Sequence, residues 1–164
     1  MKSRDQQLLE EAYELVQESL NDPYPYEFSD TAVDDTYIFY PDVNNKNIYY
    51  SVMFQEDINA NSNLGIVFAY TDKDKNIKKT TQMTSTGDSF RVMATIAKII
   101  TEHLKKYAKS YYLIHFEAKA GDRGRVALYK RLAQRLQNEV LGPKWKLETL
   151  MDANDVRFVF KKSF

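Results

Sequence analysis

The sequence predicts a single α+β domain in which a mostly antiparallel, mixed sheet is flanked by helices. Its 164 residues suit one domain with a hydrophobic core of its own. Several short stretches rich in aromatic and β-branched residues follow one another across short polar turns, which is typical of an antiparallel meander. Two amphipathic helical stretches then bracket one apolar run of strand length, which indicates a single parallel step in the sheet.

The first predicted element is a helix within residues 1–22. Apolar side chains recur at helical spacing over residues 4–20, and Ser3 can cap the first turn together with Gln6. Pro23 and Pro25 end the helix, because proline disfavours helical conformation in the residue before it. Residues 27–36 are predicted to be an acidic loop.

The antiparallel strands are predicted within residues 37–83. Polar turns rich in asparagine, aspartate and lysine separate them, and their apolar runs have the length of strands. The predicted strands cover residues 37–40, 48–54, 64–70 and about 77–83.

A loop, helix, strand and helix are predicted over residues 84–141. Apolar residues at helical spacing predict the first helix from Ser89 to about Tyr107, and Lys105 and Lys106 suit its negative end. Residues 111–116 form a continuous apolar run, which predicts a buried central strand. The second helix follows Gly124 and ends at Gly142; its inner stripe is Val126, Tyr129, Leu132, Ala133 and Leu136. A terminal hairpin is predicted within residues 144–161.

Composition excludes several classes of function. The chain has no cysteine, which excludes disulfides, cysteine zinc sites and thiol nucleophiles. Its two histidines, His103 and His115, lack the spacing of metal ligands, and we expect no metal. No apolar stretch is long enough to cross a membrane, and the N-terminus does not read as a signal peptide. These observations predict a cytoplasmic protein.

The net charge of zero divides into two opposite portions. Residues 1–60 hold 3 basic and 13 acidic side chains, whereas residues 61–164 hold 20 basic and 10 acidic ones. The basic portion suits an anionic partner such as a nucleotide, a phosphate or nucleic acid. Alternatively, the two portions attract each other within the fold or between copies of the chain.

The order of the elements and the stretch from Gln82 to Tyr107 resemble the GCN5-related N-acetyltransferase (GNAT) family. In that family the cofactor pyrophosphate meets backbone N–H groups at a helix N-terminus, after a loop of the pattern Arg/Gln-x-x-Gly-x-Gly/Ala. Here Gly87 is kept, whereas Thr84 and Ser89 replace the first and last positions of the pattern and Asp88 adds a carboxylate. The resemblance implies that acetyl-CoA or another acyl-CoA is bound by Thr86, Gly87, Asp88, Ser89 and Phe90.

A second stretch is similar to the family's Asn-x-x-Ala-x-x-Leu-Tyr. Asp122 and Arg125 replace its first two fixed residues, and Leu128 and Tyr129 remain. The resemblance implies that Tyr129 protonates the departing CoA thiolate, although Tyr129 also falls on the apolar stripe, where packing would explain it. Glu117, at the end of the central strand, is the predicted base, with Tyr112, His115 and Gln82 as alternatives. Glu117 could instead pair with Arg123 or Arg125, and His115 could be an ordinary core residue.

The sequence of residues 86–95 and 125–132 also resembles that of small GNAT-like proteins encoded by tailed bacteriophages. The predicted function is therefore a phage-type, GNAT-like protein with an altered acyl-CoA loop, which transfers an acyl group to an unknown amine acceptor in the host cytoplasm. One alternative is a non-enzymatic virion, assembly or host-interaction protein that uses a protein partner or self-association. Another is a nucleic-acid-binding module whose basic side chains are Lys105, Lys106, Lys109, Arg123, Arg125, Lys130, Arg131 and Arg135.

Overall fold

The computed structural model describes residues 3–8, 10, 22–29, 34–57, 62–80, 89–121 and 123–163. Two long helices lie within these residues, α1 (Ser89–Tyr107) and α2 (Arg123–Leu136). The strands are β1 (Tyr26–Phe28), β2 (Asp35–Phe39), β3 (Ile48–Glu56), β4 (Asn63–Asp72), β5 (Ile77–Thr80), β6 (Leu113–Lys119), β7 (Trp145–Met151) and β8 (Asp155–Lys162).

The eight strands of the described residues form one sheet in the order β1-β2-β3-β4-β6-β8-β7, and β5 also pairs with β4. β4 and β6 are parallel, and α1 makes the connection that lies between β5 and β6. The other pairs of neighbouring strands are antiparallel. The structure thus confirms an α+β fold with a mostly antiparallel, mixed sheet.

Alternation along the strands gives the sheet two faces with different roles. The face that carries Tyr37, Phe54, Phe68, Phe116 and Phe158, called the helix face below, packs against α1 and α2. For example, His103 of α1 stacks on Phe54 with the ring centroids 3.7 Å apart. The other face, called the opposite face, carries Gly65, His115, Glu117, Arg157 and Val159.

The two helices confirm the helical periodicity of the sequence. α1 has the predicted bounds, and the fully buried side chains on it include Val92, Ile96, Ile100 and Leu104. α2 continues into a π-helical segment at Gln137–Leu141 and stops at Gly142, whose φ of 82° suits a residue without a Cβ. The capping pair at the N-terminus is confirmed as well, since Ser3 and Gln6 exchange hydrogen bonds of 3.0 and 3.2 Å. Residues 4–8 and 10 are helical, and the rest of the helix predicted there lies outside the described residues.

Strand boundaries depart from the prediction where pairing overrides local composition. The acidic loop predicted over residues 27–36 is wrong at both ends, because β1 includes residues 27 and 28 and β2 begins at Asp35. β1 forms because Phe28 lies opposite Tyr37 and Tyr26 lies opposite Phe39. β6 begins two residues later than predicted, and the C-terminal hairpin ends at Lys162, one residue beyond its predicted range. Residues 81–83 of the last predicted meander strand lie outside the described residues.

Candidate functional site

The parallel strands β4 and β6 pair over a short length. Their register joins residues 63–65 to residues 113–115, ending at Gly65 and His115. From Ala69 onwards the same edge of β4 pairs with β5 instead. In the described part of the chain, β4 and β6 therefore part beyond Gly65 and His115. Residues 66–68 of β4 and 116–118 of β6 are called the fork below.

Three aromatic rings close the fork on the helix face. Tyr129, from α2, is completely buried, and its ring centroid lies 5.2 Å from that of Phe68 and 6.0 Å from that of Phe116. Phe68 and Phe116 lie 6.0 Å apart across the fork. All three contacts are edge-to-face, the arrangement that the quadrupoles of aromatic rings favour. Tyr129 therefore lies at the fork and also contributes to packing, so both interpretations of this residue are compatible with its position.

On the opposite face, the base of the fork is formed by a histidine lying against a glycine. A Cβ added to Gly65 would approach both Cε1 and Nε2 of His115 to 3.3 Å, which is a tight contact. Nδ1 of His115 is buried and, among the described residues, makes no hydrogen bond. Burial lowers the pKa of His115, the positive charge of Arg157 lowers it further, and Glu117 and Asp57 act in the other direction. The imidazole is thus held neutral at pH 7.

Glu117 lies two residues further along the same face. Its Oε1 accepts a hydrogen bond of 2.7 Å from Nε of Arg157, its neighbour on β8, and lies 2.6 Å from Nη2 of the same guanidinium. The sequence suggested Arg123 or Arg125 as the partner of Glu117, whereas the ion pair in the structure is formed with Arg157. Phe116 faces Tyr129, so the next residue, Glu117, points to the other side of the sheet. The two predicted catalytic residues, Glu117 and Tyr129, consequently lie on opposite sides of the fork.

The predicted cofactor loop precedes α1. Thr86, Gly87 and Asp88 lie outside the described residues, as does Gln82, whereas Ser89 and Phe90 form the beginning of α1. Arg91, which the sequence analysis did not single out, follows them and lies 4.0 Å over the ring of Tyr24. Its Nε also donates a hydrogen bond of 2.8 Å to the carbonyl oxygen of Asp22. The first turn of α1 holds no acidic residue, which leaves its positive end uncompensated within the helix.

Two other predicted residues take positions away from the fork. Tyr112 precedes β6 and is about half exposed, with the ammonium of Lys162 5.6 Å from its ring centroid. Arg125, one of the basic side chains of the predicted nucleic-acid-binding alternative, is buried, with 7% of its surface exposed. The signal for this was available in the sequence, because Arg125 lies four residues before Tyr129 and therefore on the same side of the helix.

The comparison with protein families matches residues 21–162, which include all eight strands and both helices. The chain belongs to the family of unknown function DUF6934. No curated protein and no solved structure matches it. Family membership thus covers the fork and both of its faces, and the function has to be argued from the site itself.

Two further sets of side chains lie elsewhere on the DUF6934 sheet. His103 is buried on the helix face, and its Nδ1 lies 3.0 Å from the hydroxyl of Tyr37, so this histidine is a satisfied core residue. A surface groove of about 380 Å³ borders β1 and β2, and it is lined by Pro25, Tyr26, Glu27, Ile38, Tyr40, Val43 and Lys46.

In the described ranges no group of three or more acidic or histidine side chains could hold a metal ion. No helix found there is both long and apolar enough to cross a membrane.

Proposed function

We propose that the chain binds acyl-CoA at the fork and transfers the acyl group to an amine. The observation that carries the proposal is the parting of the two parallel strands after three paired residues, with Tyr129 buried at the opening. Where strands part, backbone N–H and C=O groups are turned towards the opening, and they can pair with the amide groups of a pantetheine arm. The GNAT resemblance implies one parallel step bridged by a helix; the parallel pairing of β4 and β6, with β5 and α1 between them in the chain, supports the proposal.

The start of α1 suits the phosphate groups of the cofactor. The first N–H groups of a helix have no partner within the helix, and the helix dipole favours an anion beside them. Arg91 adds a positive charge close to this end, which it shares with Asp22, whose Oδ1 lies 3.4 Å from Nη2 of Arg91. Asp88, which precedes α1 in the sequence, is the departure from the family pattern that works against an anion.

The chemistry that follows is an acyl transfer. The amine nitrogen forms a bond to the thioester carbonyl carbon, the carbon–sulfur bond breaks, and the amine loses a proton. Tyr129 donates a proton to the departing thiolate, because a phenol is neutral at pH 7 and can act as a local acid. A base at the fork takes the proton of the amine. The sequence predicts Glu117 for this role, but its carboxylate is already paired with Arg157.

Calorimetry tests the binding half of the proposal. Acetyl-CoA is titrated into the wild-type chain, into Gly87→Ala and into Gly87→Trp, with circular dichroism as a check of folding. We expect binding to the wild type, weaker binding to the alanine variant and none to the tryptophan variant, since the resemblance implies that the pyrophosphate approaches the backbone at this glycine. The absence of any heat from the wild type at millimolar cofactor would reject the proposal.

A tyrosine-to-phenylalanine change separates the two interpretations of Tyr129. Tyr129→Phe keeps the ring that packs on Phe68 and Phe116 and removes the hydroxyl. We expect kcat to fall about 100-fold, the size typical of a lost general acid, while the dissociation constant of CoA stays within twofold. A thiol assay of the released CoA measures kcat, and calorimetry measures the dissociation constant of CoA. An unchanged kcat would assign Tyr129 to packing alone.

A non-enzymatic role on the same scaffold is the second candidate. Its supporting observation is the edge strand β7, where Leu150 and Met151 are 50% and 75% exposed. An exposed strand edge with apolar side chains suits pairing with a protein partner or with a second copy of the chain, in a virion or in the host cytoplasm. Light scattering tests this candidate, since it requires a mass of several subunits that falls to one in Leu150→Lys. The nucleic-acid alternative is weaker, because Arg125 is buried and Arg135 is paired with Glu139.

A further inference from the structure

The parallel register of β4 and β6 determines the position of His115. His115 stands opposite Gly65 at the last paired residue before β4 and β6 part. The imidazole lies against the glycine backbone, where a Cβ would come within 3.3 Å of the ring. Gly65 therefore leaves room for the ring at the base of the fork, and a larger residue would displace it.

The buried Nδ1 of His115 makes no hydrogen bond within the described residues. A buried polar atom without a partner costs stability, and most such atoms in folded proteins are satisfied. His103 shows the ordinary arrangement in the same chain, since its Nδ1 meets the hydroxyl of Tyr37 at 3.0 Å. Unlike His103, His115 thus has a ring nitrogen whose hydrogen-bonding capacity is unused within the described residues.

The charges around His115 suit a group that accepts a proton. Arg157, on β8, acts with burial to keep the ring neutral, whereas Glu117, on β6, and Asp57, after β3, favour its protonated form. Glu117 is paired with Arg157, and of these two the arginine acts more strongly on the ring, which keeps it neutral. The imidazole is thus available as a base at pH 7, and a carboxylate on the same face stabilises the imidazolium once it has formed.

We propose that His115 is the base of the acyl transfer, and that the acceptor amine reaches the fork from the opposite face of the sheet. This inference rests on the proposed function. As the amine nitrogen bonds to the acyl carbon, its proton moves to His115; the carbon–sulfur bond breaks, and Tyr129, from the helix face, protonates the sulfur. His115 then returns its proton to water and Tyr129 regains one, so that both groups end in their starting states.

Kinetics of matched glutamine variants test the inference, with acetyl-CoA as donor and lysinamide as the amine probe. We expect His115→Gln to release CoA about 100-fold more slowly, to bind CoA within twofold of the wild type, and to lose the acid limb of the pH profile of kcat/KM. His103→Gln is the control and keeps that limb, because His103 lies in a different cluster. Gly65→Ala keeps the histidine but shifts its ring, and we expect an intermediate rate.

The outcomes separate this inference from the proposed function. If the wild type does not bind CoA, both are overturned. If it binds CoA and His115→Gln retains the wild-type rate and pH profile, the assignment of His115 alone is overturned. Nitrogen-15 NMR of the two histidines gives a readout that does not depend on turnover. On saturation with CoA we expect the ring signals of His115 to move and those of His103 to stay; unmoved His115 signals would also contradict the assignment.

Discussion

Replacement of Phe116 by alanine lowers the free energy of unfolding by about 3–5 kcal/mol, the usual cost of emptying a buried phenylalanine site. Phe116 is 1% exposed in the centre of β6, and its ring contacts those of Phe68, Tyr129, Phe158 and Phe160 at centroid distances of 5.4–6.2 Å. These contacts join the helix face of β4, β6 and β8 to α2. The loss of the ring therefore leaves a cavity with four aromatic walls, which cannot collapse without moving the helix.

Urea denaturation of Phe116→Ala beside Tyr112→Ala measures this effect. Tyr112 lies in the same segment of the chain, but it is 47% exposed, and its removal should cost about 1 kcal/mol or less. Equal losses of stability in the two variants would contradict the assignment of Phe116 to the centre of the core.

Acidification lowers the stability of the fold through His103. Burial lowers the pKa of His103 from 6.5 to about 4, against the attraction of Asp35, and Lys106 lowers it further. The folded state thus favours the neutral ring, so the stability that His103 contributes is fully present above pH 6.5 and is lost as the pH falls towards 4. Below pH 4 the loss in the free energy of unfolding reaches about 3 kcal/mol, which corresponds to the difference in the pKa of His103 between the folded and unfolded states. His115 acts in the same direction, since its pKa is lowered too.

A glutamine variant separates the contribution of His103 to this pH dependence from that of the carboxylates, which titrate in the same pH range. His103→Gln keeps an acceptor for the hydroxyl of Tyr37 and cannot be protonated. The difference in unfolding free energy between the wild type and His103→Gln should shrink or change sign between pH 7 and pH 4. Parallel pH dependences of the two proteins would show that His103 is not the group responsible.

Elements with a strong local period could be predicted from the sequence, and elements formed by pairing could not. α1 was predicted with its observed bounds because its apolar stripe repeats over 19 residues. β1 has three residues and an acidic neighbourhood, and it forms because its partner strand β2 places Phe39 and Tyr37 opposite Tyr26 and Phe28. Short strands of this kind depend on a partner that lies elsewhere in the sequence.

The same limit applies to the site. The resemblance led to Tyr129, which the structure places at the fork, and to Glu117, which lies beside it in an ion pair. The relation between Gly65 and His115 could not be predicted, because the two residues are far apart in the chain and meet only through the parallel register of β4 and β6. A lone histidine in an apolar run such as residues 111–116 is usually a core residue, but the histidine of this chain that has its hydrogen bond in the core is His103, on α1.

A titration of the nitrogen-15-labelled chain with CoA, followed by backbone amide NMR, tests most directly whether the fork is the cofactor site. We expect the largest shifts at residues 66–68 and 116–118 and at the first turn of α1, with little change at the groove beside β1 and β2 or at the outer edge of β7. Saturation with CoA that leaves the fork amides unmoved, or that moves only residues of the groove, would contradict the account.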